Sequence, residues 1–273
     1  MKFLIFTLVL LSLTFSLYAK CYQQKKEILI GCTYNCDAFY GFALKKNAFF
    51  NGFKIRTINL SQVSMDLSEL DAILLPGGAD IDPELYLSQI PDDLVTYTRE
   101  HLNFVNYSEE GKFRDPIEFK VVTEYLTNES LSQTPMLGIC RGMQMMAVAS
   151  GLPLYVDIKH ELGIKNRYNK IDKIFVRDQS SLMASFYPNG KTYGVKYHHQ
   201  GIRVEYFQRN ADLFPNLKVA SYSHHNQIAE SLEFKNRPAL GVQYHPEKAL
   251  TPRNGRPIWK WFLNKACEKS NSR

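Results

Sequence analysis

The chain has 273 residues, 45% of them hydrophobic and 22% charged, which suits one globular domain or at most two, with a core that folds without staples. Its net charge is +6, but the Lys and Arg are scattered, and runs such as Lys25-Lys26 and Lys45-Lys46 are short. Basic clusters interleaved with aromatics are missing, which argues against a nucleic-acid partner.

The first residues stand apart from the rest. M-K-F-L-I-F-T-L-V-L-L-S-L-T-F-S-L-Y-A-K carries one Lys, then an apolar run, then Ser16-Leu17-Tyr18-Ala19. The pattern predicts a secretory signal over residues 1–19, cleaved after Ala19, and a single domain over 20–273 with no stable membrane insertion afterwards. The competing readings are an uncleaved anchor and a buried first strand; the run is short for a span, and Ser, Thr and Tyr interrupt it near its end. Export would leave the protein periplasmic or secreted; an uncleaved segment would leave it cytoplasmic. Lys20 stands where a small residue should precede a lipidated Cys21, so lipidation is not expected. There are five cysteines, an odd count that leaves one thiol free in a secreted chain. If Cys140 is that thiol, Cys21, Cys32, Cys36 and Cys267 can form two bridges, whose pairing the sequence does not fix.

Glu27-Ile28-Leu29-Ile30-Gly31-Cys32 reads as a buried strand, too apolar to alternate. Residues 38–50 read as a helix, Lys54–Leu60 as a strand, and Leu70–Leu75 as a strand stopped by Pro76-Gly77-Gly78. The stretch 80–114 is polar and reads as a long functional loop. Asp115-Pro116-Ile117-Glu118 predicts a helix start, with Asp115 as N-cap, Pro116 in the first position and Glu118 three residues on. Pro135–Ile139 is the next strand, and the helix after Cys140 runs to Ser150. Strands are then expected at Leu154–Ile158, Ile174–Arg177, Tyr193–His199, Ile202–Tyr206, Lys218–Ser223, Ile228–Phe234 and Ala239–His245. A last helix spans Arg256–Glu268, with Trp259, Trp261 and Phe262 turned inward. The alternation of strand and helix in the first half predicts a mostly parallel sheet, and the second half adds antiparallel strands.

Three motifs carry chemistry. The first is G-I-C-R-G, residues 138–142, between a strand and a helix. A nucleophile on such a turn stands out above the sheet edge, and glycines leave room for its strained backbone. The helix amino end favours negative charge, and the Arg141 N–H becomes available to an oxyanion. A buried structural cysteine is the competing reading. The second motif is G-V-Q-Y-H-P-E, residues 241–247. Side chains two apart on a strand share a face, so Glu247 can orient His245, and His245 can take the thiol proton. The third is L-L-P-G-G-A-D-I-D-P, residues 74–83, whose glycines let backbone N–H groups approach a ligand. His198-His199 and His224-His225 invite a metal, but neighbours on a strand face opposite sides, so no metal site and no cofactor are expected. Asp115 and Glu118 are explained by capping, and Met143, Met145 and Met146 by core packing.

L-P-G-G-A-D-I-D-P-E-L-Y, F-R-D-P-I-E, G-I-C-R-G-M-Q, Y-H-H-Q and G-V-Q-Y-H-P-E occur in this order. The set resembles class I glutamine amidotransferase-like proteins, and among them the γ-glutamyl-γ-aminobutyrate hydrolase, or peptidase C26, branch. The likeness runs from about residue 27 to 265. It implies a flavodoxin-like three-layer α/β/α fold and a Cys140–His245–Glu247 triad that cleaves a γ-glutamyl amide through a thioester. It further implies oxyanion N–H groups from Gly78 and Arg141, and a substrate pocket with Gly77, Gln144, His199 and Gln200. Ala147-Val148-Ala149-Ser150-Gly151 departs from the family, which usually shows an Asn and paired Gly there; so does the 80–114 stretch, whose Tyr86, Tyr97 and Tyr107 suggest an aromatic wall. These departures bear on the substrate rather than the triad. The leading expectation is a hydrolase acting on a small γ-glutamyl substrate, with homodimerisation left open. The alternatives are a glutaminase subunit supplying ammonia to a partner and an inactive binding protein of the same fold.

Overall fold

A computed structural model describes residues 27–36, 39–165, 170–248 and 252–273. The predicted signal segment and Cys21 lie outside the described residues. The chain runs β1 (Glu27–Cys32), α1 (Phe39–Phe50), β2 (Lys54–Asn59), β3 (Ala72–Leu75), α2 (Glu84–Leu87), α3 (Asp92–Glu100), α4 (Glu109–Thr127), β4 (Met136–Ile139) and α5 (Arg141–Ala149). It continues with β5 (Leu154–Tyr155), α6 (Ile158–Leu162), β6 (Lys170–Val176), α7 (Leu182–Phe186), β7 (Lys191–Lys196), β8 (Gly201–Ile202) and α8 (Val204–Arg209). β9 (Leu217–Ser223), β10 (Ile228–Phe234), β11 (Ala239–Val242) and α9 (Pro252–Asn271) complete it.

One sheet organises the molecule, in the order β2-β1-β3-β4-β11-β10-β9-β6-β7. The pairings from β2 to β11 are parallel, and those from β11 to β7 are antiparallel. Strand residues alternate between two cores. Ile28, Ile30, Leu74, Leu137, Ile139, Leu240 and Val242 face α1 and α9, against Leu44, Trp259 and Phe262. Ile73, Leu75 and Met136 face α4 and α5, against Val122, Tyr125, Met143 and Val148. Burial on both faces is why these strands read as unbroken apolar runs. The α/β/α expectation and the mostly parallel sheet with added antiparallel strands stand.

Several boundaries differ from expectation. The 80–114 stretch is largely helical: Pro83 and Pro91 stand at the entries to α2 and α3, and Asp92 and Asp93 fill the first turn of α3. α4 begins at Glu109, not at Asp115. Ser108 caps it by accepting the Gly111 N–H at 3.3 Å, so Pro116 lies inside the helix. Asp115 and Glu118 do not cap anything; they are buried ion-pair partners. Leu154–Ile158 and Ile202–Tyr206 yield only the two-residue strands β5 and β8, each followed by a helix. Asp157 starts α6 by accepting the His160 N–H at 2.8 Å. Apolar alternation over so few residues does not separate a strand from a helical turn. β7 stops at Lys196 and β11 at Val242, so neither Y-H-H-Q nor H-P-E is in a strand. In α9, Trp259 and Phe262 are buried while Trp261 is half-buried.

Candidate active site

The carboxyl ends of β1, β3, β4 and β11 lie side by side, where open α/β sheets bind their ligands. Each contributes the residues that follow it: Thr33 after β1, Pro76 to Asp80 after β3, Cys140 after β4, and Gln243 to Glu247 after β11.

Cys140 has φ 53° and ψ −106°, a conformation that costs a non-glycine residue energy and is found at functional turns. Its N–H is held by Val242 O at 2.8 Å, and α5 starts at the next residue. The flanking glycines are required by close approach. A Cβ on Gly142 would fall on Leu75 O, and one on Gly138 would lie 2.7 Å from the Gly142 carbonyl carbon. The same holds at Gly77, where a Cβ would meet the Tyr40 hydroxyl, His245 Cε1 at 3.2 Å and Cys140 Cβ at 3.4 Å. The Arg141 N–H is the first of α5 and has no carbonyl within the helix to bond, so it is open to an anion.

His245 and Glu247 meet as expected, with Nδ1 and Oε1 2.6 Å apart, although β11 ends three residues before His245. Burial alone would lower the imidazolium, but the Cys140 charge and hydrogen bond, with Glu247 behind, outweigh it and push His245 up to about 10. The Tyr197 ring packs edge-on against the imidazole at 5.2 Å. These contacts fix the ring that would move the proton.

Beneath the site lies a charge network. Glu118, fully buried, accepts from Thr33 Oγ1 (2.8 Å), Arg114 Nη2 (2.8 Å) and Nε (3.1 Å), and Arg141 Nε (3.0 Å). Arg141 also pairs with Asp115 at 2.6 Å and donates to the carbonyls of Ala79 (2.9 Å) and Asp80 (3.0 Å). Arg114 donates to the carbonyls of Pro76 (2.8 Å) and Gly77 (3.0 Å) and pairs with Glu110 at 2.6 Å. Burial raises the Asp115 carboxyl, with Arg141 opposing it. Two guanidinium groups thus grip four carbonyls of the Pro76–Asp80 turn and fix how its N–H groups point.

The other predicted residues are held in hydrogen bonds around the site. Gln144 is buried and donates to Gln200 O (2.8 Å) and Gln243 Oε1 (3.3 Å). The Gln200 side chain pairs with both backbone groups of Ile81, at 2.9 and 3.1 Å. His199 stands between Asp80 (Nε2, 2.7 Å) and Asp157 (Nδ1, 3.1 Å), and the hydrogen bond to Asp80 is the main reason it is raised. These three join the turn after β3 to the loop after β7. Of the expected aromatic wall, Tyr86 is core, Tyr97 stacks on His101 at 4.4 Å, and Tyr107 lies under Lys112.

Gln243 and Tyr40 are among the residues missed by the sequence reading. Gln243 donates to Cys140 Sγ at 3.6 Å; its place two before His245 was the available signal. Tyr40, at the start of α1, hydrogen-bonds the Gly77 backbone, and burial together with the Glu247 and Cys140 charges holds its hydroxyl protonated. Nothing in its sequence neighbourhood marks it. Cys32 and Cys36 are bridged, Cys267 is also disulfide-bonded, and Cys140 is the free cysteine among the described residues.

Cys140 on its strained turn at the carboxyl edge of a mixed sheet, beside the His245–Glu247 pair, is an arrangement suited to a hydrolase of the glutamine amidotransferase class. Residues 55–247 match peptidase C26, and the chain belongs to that family. Among its relatives, protein NtpR of Enterococcus hirae is 28% identical over 191 residues, covering 66% of this chain and 68% of that one. The γ-glutamyl-γ-aminobutyrate hydrolase PuuD of Escherichia coli is 27% identical over 197 residues, covering 66% and 65%. A glutamine amidotransferase of Thermotoga maritima shares the fold, with a TM-score of 0.51 and 13% identity over 90% of this chain and 98% of that one.

Proposed function

We propose that the protein hydrolyses γ-glutamyl amides of small amines through a thioester on Cys140. The observation that carries this is Cys140 on its strained turn beside an imidazole that Glu247 orients at 2.6 Å. The Cys140 thiolate attacks the amide carbonyl carbon, and the oxyanion is held by the Gly78 and Arg141 N–H groups. His245 protonates the departing amine as the C–N bond breaks. Water then attacks the thioester, giving its proton to His245 and releasing glutamate and the thiolate. The similarity to PuuD supports the γ-glutamyl half of this reading. A panel of γ-glutamyl amides with different amines, plus free glutamine, tests it. Cys140-dependent glutamate release from several amides, with little from glutamine, is the expected result. Release from glutamine alone, rising with a partner protein, would make the chain an amidotransferase subunit. No release at all would leave a binding protein.

We also propose that the protein is exported. The Lys-then-apolar start supports this, as does a disulfide between Cys32 and Cys36, since disulfides persist in oxidising compartments. Mass spectrometry of the native protein should find its terminus at or near Lys20; a protein that retains Met1 would contradict export.

A further inference from the structure

α1 is apolar on both sides. Its inner side, with Ala43, Leu44 and Ala48, packs on the sheet. Its outer side carries Phe39, Phe42, Phe49 and Phe50, which are 69, 70, 79 and 62% exposed. At about 100° per residue, these four rings and Lys45 and Lys46 fall within an arc of roughly 140°, along a helix about 18 Å long. Scattered exposed apolar residues are ordinary, but four exposed phenylalanines on one side of a single helix mark a surface that meets something.

Beside these rings a groove of about 690 Å³ runs between α1 and α9. Phe39, Phe42 and Phe50 line one side, Trp259 and Arg256 the other, with Lys248 near its end. The Lys248 ammonium lies 4.7 Å from the Phe39 ring centroid. Among the described residues, the one carboxylate lining the groove is Glu247, whose side chain is 1% exposed and turned to His245. Among the described residues, the lining side chains are therefore mainly aromatic and cationic.

That chemistry chooses between occupants. A second copy meeting this face with its own would be an isologous contact, setting Lys45, Lys46 and Arg256 against a like-charged patch. An anionic lipid surface complements both features: phenylalanines enter the boundary between headgroups and acyl chains, and Lys and Arg hold the headgroup charge. We propose that the outer face of α1, with the adjoining rim of α9, docks the protein flat on an anionic membrane surface. Among the described residues no helix is long and apolar enough to cross a membrane, and the attachment drawn here is peripheral. It holds whatever the enzyme's substrate, because none of the docking side chains is one assigned to chemistry.

Flotation of the mature protein, beginning at Lys20, with vesicles tests this, comparing pure phosphatidylcholine with an equimolar mixture of phosphatidylcholine and phosphatidylglycerol. Wild type should partition at least about tenfold better onto the mixed vesicles, since each cation near an anionic surface adds attraction. Phe42→Ser with Phe49→Ser, and separately Lys45→Glu with Lys46→Glu, should each reduce that partitioning by about tenfold or more. Both sets are on the surface, and unchanged thermal unfolding will show that the fold is kept. Equal binding by wild type and both variants would overturn the proposal, because a surface other than α1 would then account for any attachment. So would an absence of vesicle binding. A wild-type dimer in solution that the phenylalanine variants disperse would overturn it in favour of a second copy.

Discussion

Cys140→Ala should abolish turnover, by about 10⁴-fold or more, while the protein stays folded, because losing the nucleophile removes every step that acts through it. The fold should survive for a local reason. Alanine keeps the Cβ that the turn already accommodates at φ 53°, so the substitution adds no backbone strain. The Gln243 amide loses its sulfur partner but keeps Gln144. His245→Asn should lose nearly as much activity, and Glu247→Gln less, since Glu247 orients the ring without taking the proton. The Cys140→Ala/His245→Asn double variant should be no worse than Cys140→Ala alone, because the two act as a unit. Steady-state rates with a γ-glutamyl amide check this. A Cys140→Ala enzyme of comparable rate would end the thiol mechanism.

The second large effect is expected at Glu118, which touches no reacting atom. Both its oxygens are in use: Oε1 serves Thr33 and Arg114, and Oε2 serves Arg141. In Glu118→Gln one oxygen becomes an NH₂ facing guanidinium N–H groups, and two buried cations share one carboxylate fewer. Breaking a buried pair in this way typically costs about 3–5 kcal/mol. At about 2–4 °C per kcal/mol for a chain of this size, the midpoint of thermal unfolding should fall by about 10 °C. The rate should fall as well, at temperatures where the variant is still folded, because Arg114 and Arg141 hold the carbonyls of the Pro76–Asp80 turn. An unchanged melting temperature would show that the network is dispensable.

The parts of this site that were legible in the sequence share a property: each is a contiguous motif whose chemistry is local. G-I-C-R-G placed Cys140 at a strand–helix junction because glycines and an apolar run announce one. H-P-E brought His245 to Glu247 because two residues of separation keep them close whether or not the strand continues. Glu118 was misread because D-P-x-E is a convincing local helix start, and only the tertiary structure shows that Ser108 already caps α4 and that two arginines arrive from elsewhere. Tyr40 was invisible for the same reason. Its partner Gly77 is 37 residues away in the chain, on a different strand end. The hydrogen bonds of Gln144 and Gln200 to the carbonyls of Gln200 and Ile81 were likewise not legible, because their partners come from other parts of the chain. The 80–114 stretch reads as loop because α2 and α3 are short, set by prolines and acidic first turns rather than by an apolar period.

The most direct test of the account is the covalent intermediate. Enzyme mixed with a γ-glutamyl anilide, quenched in acid during turnover and digested, should yield a glutamyl adduct on the peptide carrying Cys140. The adduct should disappear on treatment with hydroxylamine, as a thioester does, and be absent from Cys140→Ala. Glutamate release that proceeds with no adduct on Cys140, and continues in Cys140→Ala, would contradict it.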